Sequence, residues 1–271
     1  MAEAIEYKQI GRSPVRPDGV DKVTGRARFG ADLVLPNMIH GRVLRSPHAH
    51  ARIKNIDLSA ALAMEGVYAA ISGKDFIDVE GGEVGGEGGG TLGDVAKNVM
   101  ARDKVLYHGH AVAAVSASTV AIAEAALDAI KVEDEPLPPV LDVVAAMAAD
   151  SVLVDENNYT KLPEKPDNPS NIANVGKLVR GNLEEGFAAA DIVIEREYKV
   201  PMAHQGYIEP HACVANMDET GRGSVWCCTQ GHFEFRAMTA KLLRRNRGLP
   251  RTSGRHAVRK IEPTRKNDHE P

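Results

Sequence analysis

The block at residues 111–135 places the strongest constraint on the fold of this chain. Residues 111–117 read as a strand of small and β-branched side chains, and residues 119–130 place alanine and apolar residues at helical spacing. Ser118 or Thr119 is in position to cap that helix, and residues 131–135 read as an edge strand ending before Pro136. Because only 4% of the residues are aromatic, small side chains must fill the core between helix and sheet. The block therefore favours a mixed class, α/β or α+β.

The segments before this block repeat the strand pattern. Residues 38–46 alternate apolar and polar side chains, and residues 51–57, 67–72 and 104–107 are also strand-like. Residues 58–64 predict a short helix with Ser59 as N-cap. Residues 81–93 are dense in glycine, but they lack the Lys-Ser/Thr of a phosphate-binding loop, and Glu83 and Glu87 would repel phosphate. We predict a mobile surface loop there.

The second half opens with a linker and returns to strands. Residues 136–171 are rich in Pro, Asn and Asp, which favours a domain boundary. Residues 173–180 and 191–200 predict strands around a helix at 183–190. Residues 212–217 and 224–228 predict a hairpin with its turn at 218–221, and a helix is expected over 231–243.

Charge is unevenly distributed along the chain. The net charge is −4, yet residues 244–271 hold nine Lys and Arg against three Asp and Glu, so an acidic body precedes a short basic tail. The tail lacks interleaved aromatic residues, which disfavours a nucleic-acid partner. Neither a secretory leader nor a run of roughly 20 apolar residues is present, so we expect a cytoplasmic chain with no membrane partner.

The cysteines and histidines offer several candidate sites. Cys213, Cys227 and Cys228 are too few for an iron–sulfur cluster, and an unstrained disulfide between adjacent residues is excluded, so buried free thiols are the favoured interpretation. A metal could bind to a further group, His204, Glu209 and His211. The favoured alternative is that these side chains form hydrogen bonds where a loop leads into a strand. Structural roles are also favoured for two pairs of histidines spaced two apart: His48 with His50, and His108 with His110.

Several ordered segments of the first half resemble one family. Residues 21–29 (DKVTGRARF), 35–40 (LPNMIH) and 45–53 (RSPHAHARI) are similar to the opening of the molybdenum hydroxylase large subunit, the family of xanthine dehydrogenase, aldehyde oxidase and aerobic carbon monoxide dehydrogenase. Residues 107–115 (YHGHAVAAV) resemble the later half of the same region. The resemblance implies an a/b hammerhead domain.

The resemblance continues into the molybdopterin-binding region. Residues 180–191, 205–211 (QGYIEPH) and 229–233 (TQGHF) follow in the family's order. In the family, the glutamine of the last motif lies beside the molybdenum centre, which points to Gln230. His232 is a mild departure, since relatives often have proline there. The family's catalytic glutamate lies far downstream, so the resemblance gives Glu209 no such role and places no catalytic residue within this chain.

The resemblance therefore predicts an α+β chain of five parts. These are a lead-in (1–17), the hammerhead domain (18–135), a linker (136–171), the start of the molybdopterin-binding domain (172–243) and a basic tail (244–271) that is disordered or out of frame. No glycine-rich segment follows residue 243, where the family has one. We therefore expect a truncated portion whose tail could come from a shifted reading frame.

The implied chemistry is that of the complete family protein. A molybdenum centre on a pterin would hydroxylate an aldehyde, heterocycle or related substrate with oxygen derived from water. The expected partners are iron–sulfur and FAD subunits or a missing C-terminal half. We expect this chain alone to be inactive and to bind molybdopterin weakly or not at all. The alternative function is a non-catalytic module that docks onto the iron–sulfur and flavin subunits.

Overall fold

A computed structural model describes residues 8, 10–76, 83–84, 90–217, 222–245 and 260–263. The helices are α1 (Gly19–Val23), α2 (Ser59–Leu62), α3 (Leu92–Val99), α4 (Val120–Ala129), α5 (Val143–Ala146), α6 (Leu183–Ala188) and α7 (His232–Arg245). The strands are β1 (His40–Arg45), β2 (Ala51–Asp57), β3 (Val67–Ser72), β4 (Glu83–Val84), β5 (Gly90–Thr91), β6 (Lys104–Val105), β7 (Ala111–Ala117), β8 (Lys131–Pro136), β9 (Cys213–Met217), β10 (Arg222–Cys227) and β11 (Lys260–Pro263). Short 3₁₀ turns occupy Gly30–Asp32 and Gly73–Asp75. Helices beside largely antiparallel sheets confirm the predicted α+β class.

The chain divides into two compact units. Among the described residues, one unit contains those within 37–206 and 238–245, and the other contains those within 8–36, 207–237 and 260–263. The predicted boundaries at 17, 135, 171 and 243 stay predictions.

The larger unit contains two three-stranded antiparallel sheets and the two-stranded sheet β4-β5. The first has the order β1-β7-β3, and its central strand β7 is buried along most of its length. The second has the order β6-β2-β8, so β8 is an edge strand, as predicted. In β2 and β7 the local sequence patterns predicted both ends of the strand correctly.

Helix α4 covers the first sheet with small side chains. Ala123 and Ala126 are fully buried against the alanines of β7 and against Val115. The side chain of Thr119 accepts a hydrogen bond of 3.2 Å from the Ile122 N–H, which confirms the predicted cap. Alanines on both surfaces let the helix approach the sheet closely, which is the packing that the low aromatic content implied.

Other local predictions need correction. Leu58, rather than Ser59, is the N-cap of α2, and Asp57 Oδ1 accepts a hydrogen bond of 2.9 Å from the Ser59 N–H in the first turn. Helix α3 was not predicted. It begins inside the glycine-dense segment, where Thr91 and Asp94 form a reciprocal capping box. Residues 81–82 and 85–89 of the predicted loop lie outside the described residues.

The predicted strands at 173–180 and 191–200 are wrong. Within the described part of the chain both segments lack strand pairing, apart from one isolated bridge between Lys161 and Asn174. A strand needs backbone partners as well as a favourable pattern, and the described residues supply none for 191–200. Its apolar residues consequently stay exposed.

The smaller unit is built on the sheet β11-β10-β9. Strands β9 and β10 pair antiparallel, as the predicted hairpin requires, whereas its turn at 218–221 lies outside the described residues. The backbone at Gly30 approaches this sheet closely, since a Cβ there would lie 2.9 Å from the Ala212 carbonyl oxygen. Strand β11 pairs parallel with β10 and lies in the predicted tail, most of which falls outside the described residues.

Candidate functional site

Gln230 lies in the turn that joins β10 to α7. The Thr229 side chain accepts a hydrogen bond of 3.2 Å from the Gly231 N–H. The Gly231 carbonyl then accepts the Phe235 N–H at 2.9 Å, which begins the helical hydrogen bonding of α7. Gln230 itself is exposed. The turn therefore holds the backbone on both sides of this glutamine while its amide remains available for hydrogen bonding.

His211 lies beside Cys228 in the same unit. The Cys228 Sγ is 3.6 Å from His211 Nδ1, and the rings of Tyr207 and His211 meet edge to face with centroids 4.8 Å apart. The contact is within hydrogen-bonding distance for a sulfur atom, so it holds the Cys228 side chain against the His211 ring.

The other two cysteines meet across the hairpin. Cys213 of β9 is directly opposite Cys227 of β10 in the strand register. Cys213 is exposed, and Cys227 and Cys228 are half-buried, so the prediction of buried thiols is wrong. Burial raises the pKa of the Cys227 thiol, and the neighbouring Cys213 and Cys228 raise it further. Sequence spacing gave no signal for this pair, because only the strand register brings it together.

The metal alternative for His204, Glu209 and His211 has no support in the described residues. Among the described residues, no three His, Cys, Asp or Glu side chains come together in a geometry that could hold a metal ion. His204 Nδ1 instead accepts the Gly206 N–H at 3.0 Å, which is the loop hydrogen bonding favoured from the sequence. Glu209 is half-buried, and its Oε1 atom is buried without a hydrogen-bond partner in the described part of the chain.

His110 has a structural role, as the sequence predicts. It is fully buried, its Nδ1 accepts the Leu106 N–H at 3.3 Å, and its Nε2 lies 2.8 Å from the Lys97 carbonyl oxygen. Only the neutral tautomer that carries its proton on Nε2 satisfies both contacts. The Tyr107 ring stacks on it at 4.3 Å between centroids. Burial lowers the pKa of His110.

The other histidine pair also ties strands together. His50 is buried, with Nδ1 2.9 Å from the Pro138 carbonyl oxygen. His48 Nε2 lies 3.7 Å from Asp134 Oδ2 on β8. These contacts connect the residues just before β2 to β8 and to the loop that follows β8. Both histidines therefore have a structural role that requires no metal.

None of the helices in the described residues is sufficiently long and apolar to cross a membrane.

Comparison with known proteins identifies the family of this chain. A family model for the a/b hammerhead domain of aldehyde oxidase and xanthine dehydrogenase matches residues 24–138. A second model, for the molybdopterin cofactor-binding domain, matches residues 164–249. Together the two models cover more than half of the chain, and Gln230 lies within the second match.

Individual relatives agree with these models. A probable xanthine dehydrogenase subunit from Bacillus subtilis (strain 168) is 34% identical over 85% of this chain. The nicotinate dehydrogenase large molybdopterin subunit of Eubacterium barkeri is 32% identical over 88% of it. The crystal structure of quinoline 2-oxidoreductase from Pseudomonas putida 86 superposes with a TM-score of 0.68 and 30% identity, over 88% of this chain and 29% of that one.

The chain spans only part of each relative, 28% of the Bacillus subtilis protein and 51% of the Eubacterium barkeri protein. Both relatives are named as subunits, and hence as components of multi-subunit enzymes. The two domain matches, the identities and the shared fold show that the chain belongs to the molybdenum hydroxylase large-subunit family and corresponds to the N-terminal portion of such a subunit.

Proposed function

We propose that this chain contributes the N-terminal part of a molybdenum hydroxylase that inserts water-derived oxygen into an aldehyde, a heterocycle or a related substrate. The observation that carries the proposal is the exposed Gln230 in the turn between β10 and α7. It falls within the match to the molybdopterin cofactor-binding domain. The amide would form part of one wall of the cofactor site.

The residues of this chain fit a contact to a polar group. The Gln230 amide can both donate and accept hydrogen bonds, and Glu209 keeps a buried acceptor atom without a partner among the described residues. A molybdenum centre on a pterin supplies the redox chemistry when it is bound. The task of the chain would be to hold the Gln230 amide in place beside that centre, through the turn bond between Thr229 and Gly231.

The complete site would need further polypeptide. We propose iron–sulfur and FAD subunits as partners, together with the polypeptide that supplies the remaining part of the large subunit. Without them, this chain would bind molybdopterin weakly or not at all, because one exposed amide offers few of the contacts that enclose a cofactor.

The test begins with molybdenum and pterin analysis of the protein purified from its native host with its partners. We expect molybdenum near one per chain. Replacement of Gln230 by alanine should then lower turnover of an aldehyde or heterocycle by about 10- to 100-fold, as expected when a supporting contact to a metal centre is lost. The matched control is Asn216→Ala, which removes an exposed amide from β9, the strand beside β10, and should leave turnover unchanged.

Two outcomes would contradict the proposal. One is a complex that contains the partners but no molybdenum. The other is a Gln230→Ala enzyme that is indistinguishable from the Asn216→Ala control in both metal content and turnover.

A second candidate function, docking onto a partner, is favoured by the segment at 191–200. Its even-numbered residues are apolar and largely exposed except at Arg196, namely Ile192, Ile194, Tyr198 and Val200, whereas the odd positions are charged except at Val193. This period-2 pattern is that of a strand with one mostly apolar face, interrupted at Arg196. A second copy could pair antiparallel with this segment in a register centred on residue 196. Glu195 of each copy would then lie opposite Glu197 of the other copy, and like-charge repulsion disfavours both pairs.

The segment therefore suits a different partner strand, with apolar residues on one face and Lys or Arg opposite the two glutamates. We propose that the remaining part of the large subunit supplies it. Ile194→Lys should abolish retention of that polypeptide in a pull-down, because it places a charge on the apolar face. Leu178→Lys, at an exposed apolar residue outside the segment, adds the same charge and should keep retention. Equal retention by wild type and Ile194→Lys would exclude this surface.

A further inference from the structure

The register of the β9–β10 pair places two thiols face to face. Cys213 and Cys227 are the last paired residues of this antiparallel ladder and lie directly opposite one another. Such residues have Cα atoms about 4.5–5.5 Å apart, which is inside the roughly 4.4–6.8 Å that disulfides span. Their side chains also leave the same face of the sheet. A disulfide between them would therefore require only a small adjustment of the two side chains.

The two thiols differ in how accessible they are. Cys213 is exposed, whereas Cys227 is half-buried. A small oxidant can therefore reach Cys213 directly, and the sulfur of Cys227 lies across the ladder where it could attack an oxidised Cys213.

Cys228 is excluded as the partner of either thiol. It follows Cys227 directly, and adjacent cysteines form only a strained disulfide. It also lies beyond the end of the β9–β10 ladder, and its sulfur contacts His211 instead.

We propose that Cys213 and Cys227 form an oxidation site that a hydroperoxide converts to an intramolecular disulfide. Hydrogen peroxide transfers one oxygen to the Cys213 thiol, giving a sulfenic acid and one water. The Cys227 sulfur then attacks the Cys213 sulfur, the S–O bond breaks, and the hydroxyl leaves as a second water with the Cys227 proton. Both thiols are oxidised, and one peroxide molecule is reduced to water.

Tryptic mapping of the full chain tests this pairing directly. Arg222 lies between the cysteines, so trypsin releases Cys213 on one peptide and Cys227 with Cys228 on the next. After treatment of the reduced chain with hydrogen peroxide and alkylation, we expect these two peptides to be linked. One alkylated thiol should remain of the three, at Cys228, and dithiothreitol should restore all three.

Three serine variants identify the bond. The link should persist in Cys228→Ser and disappear in both Cys213→Ser and Cys227→Ser. Cys213 is exposed, so Cys213→Ser keeps the test valid even if the half-buried Cys227→Ser fails to fold. The proposal is overturned if peroxide leaves all three thiols alkylatable, or links Cys228 instead, or joins separate chains.

Discussion

The packing of α4 on β7 leaves no room for a larger side chain at Ala126. Ala126 is fully buried in a cluster with Ala113, Ala117 and Ala123. Ala126→Leu adds three carbon atoms to this cluster, and such overpacking typically costs about 1–3 kcal/mol. Ala125 is the preceding residue of the same helix and is exposed, so Ala125→Leu makes the same chemical change without the steric cost. Surface changes of that kind usually stay within about 0.5 kcal/mol.

The assay must include a probe that reports on α4. The single tryptophan, Trp226, lies on β10 in the other unit, so its fluorescence is unsuitable. Urea unfolding should instead be followed by far-UV circular dichroism, with hydrogen exchange of the α4 amides as the local measurement. We expect the free energy of unfolding to be about 1–3 kcal/mol lower for Ala126→Leu than for Ala125→Leu. Equal unfolding free energies and equal α4 exchange rates would refute this account of the core.

Two further predictions concern the same unit. Gly73→Ala should destabilise the chain by about 1–3 kcal/mol or more, because the new Cβ would lie 2.2 Å from the Ala101 carbonyl oxygen. Gly41→Ala is the control, since a Cβ there would lie 3.9 Å from its nearest atom. It should lower the free energy of unfolding far less in the same urea titration. The pKa of buried His110 is lowered, so the unfolded state binds a proton more readily than the folded state. The contribution of neutral His110 to the free energy of unfolding is therefore fully present above the unfolded pKa of about 6.5. Below that pH it falls by up to about 1.4 kcal/mol per pH unit. His110→Gln should remove that part of the pH dependence, and a wild-type stability that is constant between pH 7.5 and pH 5.5 would contradict it.

Local patterns predicted the elements that are specified locally. The ends of β2, β3 and β7 follow from alternation and from runs of small residues, and Thr119 caps α4 because a hydroxyl before an apolar helix is a local signal. Helix α3 also had a local signal. The Thr-x-x-Asp spacing of Thr91 and Asp94 is a capping box, but the surrounding glycines favoured a loop.

Non-local features could not be predicted in this way. Alternation at 191–200 indicates a strand, but a strand forms only where another strand supplies backbone partners, and the sequence does not say where that partner is. The pairing of Cys213 with Cys227 likewise depends on the register of a hairpin, since a shift of one residue would send the two thiols to opposite faces. Gln230 was identified by resemblance, and its placement beside molybdenum remains a prediction.

Strand β10 connects the oxidation site to the candidate cofactor site. Cys227 is its last residue, and Gln230 follows in the turn that leads to α7. A disulfide to Cys213 would fix the end of β10 against β9, close in the chain to the amide proposed to contact the cofactor. If both proposals hold, peroxide should change the turnover of the complete enzyme reversibly, and Cys213→Ser should remove that response without changing turnover under reducing conditions. A response that persists in Cys213→Ser would assign the oxidation to another group, and the Gln230 proposal would be unaffected.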